Sequence, residues 1–93
     1  MQNTIIKGND VPSINPTYVF RWEETQNAYM LMYPEGLIKL NGPAGYIMKE
    51  IDGKQNVEEI ILNLQKQFDA SDQIVDDIYA FMETAIEQGW IKL

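Results

Sequence analysis

The hydrophobic pattern of this chain changes period once, at Asn41, and that change limits the folds open to it. Before it, apolar residues alternate as they do in strands. After it, they recur every three or four residues, as they do on helices packed against a core. The stretch "YVFRWE" puts Tyr18, Phe20 and Trp22 on one face, with Val19, Arg21 and Glu23 on the other. After the polar "ETQNA", the run "YMLMY" is apolar on both faces. Tyr29, Leu31 and Tyr33 can share the aromatic face, which leaves Met30 and Met32 opposite. In "YPEG", Pro34 suits the second position of a type I turn, and Gly36 is expected to supply the positive φ that turns the chain back. The result is an antiparallel meander in which the third strand, "LIKL", is an edge.

Three helices are expected next. "NGPAGYIMKEIDG" carries Asn41 or Gly42 as N-cap, Pro43 at the first helical position and Gly53 as its stop, with Ala44, Ile47, Met48 and Ile51 as the apolar stripe. "NVEEIILNLQKQF" opens on Asn56 with Glu59 three residues on, close to a capping box. Val57, Ile60, Ile61, Leu64 and Phe68 fall at core spacing. The third helix opens at Ser71 or Asp72 and stops at Gly89, and it bears two apolar stripes. One is Ile74, Ile78, Phe81 and Ala85; the other is Val75, Tyr79, Met82 and Ile86. Together they cover more of the helix than one core contact requires, which points to a partner surface. Three strands followed by three helices predict an α+β, winged-helix-like domain over residues 18–93. Residues 1–17, polar and punctuated by Pro12 and Pro16, read as a flexible N-terminal arm.

Composition removes most chemistry. The 93 residues contain neither histidine nor cysteine, so the commonest general base, thiolate nucleophiles and the usual soft metal ligands are all missing. Ser71 is better explained as a helix cap than as a nucleophile. The paired acids Glu23–Glu24, Glu58–Glu59 and Asp76–Asp77 point apart as neighbours on a strand or helix, which is the habit of a solvated face. No glycine-rich phosphate loop is present. The chain therefore reads as a non-enzyme without a cofactor. Its net charge of −7, with seven bases scattered singly, opposes nucleic-acid binding through the helix-turn-helix look of the first two helices. No run reaches the length of a membrane span, and the first residues lack the basic and apolar regions of a secretory signal, so a cytoplasmic location is expected.

An edge strand presents unpaired N–H and C=O groups, and an extended peptide can add to it. About four such bonds at ~1 kcal/mol each, with two or three apolar anchors at ~1.5–3 kcal/mol, support affinities from high nanomolar to micromolar after association costs. The C-terminal "WIKL" nearly repeats "LIKL" and is a rival for that edge or another. Two further readings stand beside peptide capture. One is a winged-helix nucleic-acid or regulatory module. The other is a homodimer that covers its own edges or the Met30/Met32 face.

The ordered set "RWE…YPEG…LN…DG…GW" resembles the PqqD family of pyrroloquinoline quinone biosynthesis over about residues 10–93. The resemblance implies a peptide chaperone that binds the precursor peptide PqqA and presents it to the radical S-adenosylmethionine enzyme PqqE. It also implies that the precursor lies as an added strand beside the third strand and against the third helix. Carried onto this chain, that is Leu37, Ile38, Lys39 and Leu40 at the edge, with Val75, Tyr79 and Met82 as the cleft wall. Arg21 and Glu23 share a strand face and are candidates for contact with the enzyme. Gly36, Asn41, Asp52 and Gly53 match motif positions but have sufficient roles as caps or turns. Trp22 and Trp90 read as core.

Overall fold

The computed structural model describes residues 6–68 and 73–93. The meander is β2 (Val19–Glu23), β3 (Ala28–Tyr33) and β4 (Gly36–Leu40), paired antiparallel in that order with β3 at the centre. The register places Phe20, Leu31 and Ile38 across one another, and likewise Trp22, Tyr29 and Leu40, so these rows share the inner face. Val19, Met32 and Leu37 form a row on the outer face, as do Arg21, Met30 and Lys39. The turn between β3 and β4 keeps Tyr33 opposite Gly36. Gly36 is not among the residues with positive φ, contrary to expectation. A type I turn over Pro34 and Glu35 closes the hairpin without one.

Helix α1 (Pro43–Glu50) starts with Gly42 as N-cap at φ 57° and Pro43 in the first turn, as the sequence predicts. It ends at Ile51, whose extended backbone breaks the helix, and Gly53 with φ 76° turns the chain just beyond. Helix α2 (Val57–Phe68) opens on the expected box. The Glu59 N–H donates to Asn56 Oδ1 and the Asn56 N–H donates to Glu59 Oε1, each at 2.8 Å. Helix α3 (Gln73–Gln88) ends in a Schellman motif. The Gly89 N–H donates to the Ile86 carbonyl at 3.0 Å and the Trp90 N–H to the Ala85 carbonyl at 2.8 Å, with Gly89 at φ 83°. The Ser71 and Asp72 capping assignments lie outside the described residues. No helix among the described residues is long and apolar enough to cross a membrane.

The core joins the inner sheet face to all three helices through Leu31, Leu40, Ile47, Met48, Val57, Ile60, Leu64, Ile78, Met82 and Ala85. Two expectations about it change. Phe68 is 44% exposed, because the last turn of α2 runs past the core and carries its ring to the surface. Trp22, expected inside, is also 44% exposed, standing at the end of the inner face with its ring in a T-shaped contact with Tyr29.

The N-terminal segment makes contacts that local sequence patterns do not show. Residues 6–17, expected as an arm, meet the start of α2 and the C-terminal strand. Ile6 and Pro12 are buried. The carbonyls of Asp10 and Gly8 accept the N–H groups of Val57 and Glu58 at 3.0 Å, so this segment satisfies the first orphan donors of α2. Further on, β1 (Ser13–Ile14) pairs antiparallel with β5 (Ile91–Lys92). The Asn15 side chain adds a bond from Nδ2 to the Gly89 carbonyl at 2.9 Å. The C-terminal "WIKL" is thereby engaged with β1 and not with β4.

Candidate peptide-binding edge

β4 follows β3 through a two-residue turn, and this fixes which way its backbone points. With Tyr33 and Gly36 as the closing pair, hydrogen-bonded and non-bonded pairs alternate along the ladder. Ile38 and Leu40 then exchange bonds with Leu31 and Tyr29, while the N–H and C=O groups of Leu37 and Lys39 face away from β3. Among the described residues no strand pairs with that side. Two residues thus offer an outward set of donors and acceptors, enough for about four bonds to an extended chain.

The side chains divide the other way. Leu40 is buried on the inner face and Ile38 is partly buried beside it, whereas Leu37 is 57% exposed on the outer face and Lys39 is exposed. A lysine is also a common guard on an unpaired edge, where its charge discourages indiscriminate pairing.

Of the three residues expected on α3, Val75 and Tyr79 are half-buried against the core. Met82 is fully buried and belongs to the core, because it follows Ile78 by one turn on the inward stripe. It supports the wall from behind and presents no surface of its own. The half-buried residues on this helix include Ile74, Val75, Tyr79, Phe81 and Ile86, which is the surplus apolar surface the sequence suggests. Two cavities touch β4. One of about 430 Å³ lies at its end, against Lys39, Leu40, Asn41 and Tyr46; the other, about 360 Å³, lies on the outer face against Met30, Met32, Leu37 and Lys39. Neither of these two is lined by a residue of α3.

Arg21 and Glu23 do lie together on the outer face, with Arg21 Nη2 and Glu23 Oε1 3.6 Å apart. The pair is largely exposed and contributes little to stability. It stands next to the row of Val19, Met32 and Leu37, whose outer members are 58% and 57% exposed. Asp52 serves the fold. Its Oδ1 accepts the N–H groups of Gln55 and Lys54, both at 2.9 Å, which holds its carboxyl below the usual aspartate value. The sequence did not single out Tyr46. It is 41% exposed and continues an aromatic row that runs Phe20, Tyr29, Tyr46, Phe68, with neighbouring centroids 5.0, 6.1 and 5.0 Å apart.

The profile of a family described as coenzyme PQQ synthesis protein D (PqqD) matches residues 28–91. The chain is 40% identical over 85 residues to a protein of Azotobacter vinelandii named PqqA binding protein, covering 91% of this chain and 92% of that one. It is 47% identical over 83 residues to the PqqA binding protein of Pseudomonas entomophila, covering 89% and 91%. Among solved structures, it superposes with a TM-score of 0.81 and 26% identity, over the full length of both chains, on the PqqD part of Methylobacterium extorquens PqqCD. That protein is described as a functional, stand-alone recognition element for ribosomally synthesized and post-translationally modified peptides.

Proposed function

This chain belongs to the PqqD family, and we propose that it is a non-catalytic adaptor that captures the precursor peptide PqqA as a strand added to β4 and presents it to the radical S-adenosylmethionine enzyme PqqE. The observation that carries the strand placement is the outward-facing backbone of Leu37 and Lys39 on an edge without a partner strand among the described residues. Val75 and Tyr79 supply the apolar wall on α3, with Met82 behind them. The peptide-binding relatives, which match nearly the whole chain, support the ligand class. Arg21 and Glu23, beside the exposed outer row, are assigned to contact with the enzyme. An adaptor that meets a ribosomally made peptide before its modification works in the cytoplasm.

The test is a titration of isotope-labelled protein with synthetic PqqA, read by backbone amide shifts. Saturable shifts at residues 36–40 and along α3 are expected. Binding that leaves both regions unmoved would overturn the placement.

A further inference from the structure

Between the three helices lies an apolar cavity of about 240 Å³ that strand addition alone leaves without a role. Pro43, Tyr46 and Ile47 line it from α1, Leu64 and Phe68 from α2, and Ile74 from α3. Ile47 and Leu64 form a buried floor. The rim is aromatic: Tyr46 and Phe68 stand edge to face with centroids 5.0 Å apart, each more than two-fifths exposed. Exposed rings beside an apolar hollow are surface that a ligand would remove from water. Volume decides the class of ligand. An apolar cavity of about 150 Å³ lined by aliphatic and aromatic groups stays dry and binds benzene. The larger hollow here has room for an aromatic or branched aliphatic side chain, and its surface among the described residues is apolar.

Position ties the cavity to the edge. Tyr46 is the wall it shares with the 430 Å³ cavity lined by Lys39, Leu40 and Asn41 at the end of β4. A chain leaving the β4 edge at Leu40 therefore crosses Tyr46 to reach it. We propose that this cavity is the anchor site for a single large apolar side chain of the bound peptide, lying beyond the segment that pairs with β4. The proposal rests on the adaptor reading and names the chemistry of one of its contacts.

The experiment uses the full chain with its isoleucine and leucine methyl groups labelled, titrated with PqqA and with PqqA variants in which each large apolar residue is changed singly to alanine. The methyls of Ile47, Leu64 and Ile74 are expected to shift together with the amides of β4. One alanine variant should abolish the methyl shifts, retain the β4 shifts and bind about 10- to 100-fold more weakly. Ile74→Trp, which fills the cavity, and Phe68→Ala, which removes an exposed rim, should each weaken PqqA with the helical circular dichroism intact. If β4 amides shift while the cavity methyls do not, the anchor site is overturned and the adaptor reading stands. Cavity methyls that move without β4 keep the anchor and overturn the strand placement. If neither region responds, both fall.

Discussion

Gly45 lies against the ring of Tyr29. A β-carbon at Gly45 would come within 2.7 Å of Tyr29 Cδ2 and 3.2 Å of Tyr29 Cβ. This close approach seats α1 on the central strand and sets Tyr29 between Phe20 and Tyr46. Gly45→Ala must move a ring that is packed on both sides. Overpacking costs about 1–3 kcal/mol, offset by up to about 1 kcal/mol of better helix propensity. A net loss of about 1–2 kcal/mol in chemical denaturation is expected, and an unchanged midpoint would show that α1 is free to shift.

The reciprocal bonds of Asn56 and Glu59 predict a second, independent loss. Asn56→Ala removes the acceptor for the Glu59 N–H and should cost about 1 kcal/mol, or roughly 4–8 °C in Tm for a domain of this size. Asn56→Asp should retain most of the stability, since aspartate caps about as well. Thermal melts of the two variants separate loss of the cap from loss of side-chain packing.

Asp52 gives a pH dependence with a definite sign. Backbone N–H donors from Gln55 and Lys54 favour its carboxylate, so its pKa in the folded chain is lower than in the unfolded one. Its stabilising contribution is present above the unfolded value and is lost as pH falls through the lowered folded value. Carboxyl titration by NMR should find Asp52 below the ordinary aspartate value. Asp52→Asn should lose that acid-side component of the stability profile.

How much of this was legible beforehand follows the range of the interactions involved. The meander, the Gly42–Pro43 start and the Asn56–Glu59 box are local patterns, and the structure shows each where the sequence places it. The tethering of residues 6–17 was not legible. Its bonds join positions as distant as Asn15 and Gly89, and its carbonyl acceptors are backbone groups that carry no residue signature. Helical spacing also cannot say where a core ends, which is why Phe68 emerges at the surface while Met82 does not. The edge position of β4 could be read from strand order. The cavity beside Tyr46 could not, because three helices must meet before it exists.

The alternation along β4 yields the sharpest test of the docking strand, because adjacent proline substitutions should have opposite consequences. The Ile38 N–H faces β3 across its pairing with Leu31, so Ile38→Pro removes an internal ladder bond, leaves the Leu31 carbonyl without its donor and should destabilise the domain by about 1–3 kcal/mol. The Lys39 N–H faces outward, where an edge tolerates proline. Lys39→Pro should therefore stay folded by circular dichroism and lose one donor to the added strand. One lost bond, with the ring obstructing close approach, predicts PqqA binding about 5- to 30-fold weaker by calorimetry. Lys39→Ala controls for the charge and should bind within a few-fold of the parent chain. If Lys39→Pro folds and binds PqqA as tightly as Lys39→Ala, the peptide does not pair with this edge, and the docking surface must be sought on α3 alone.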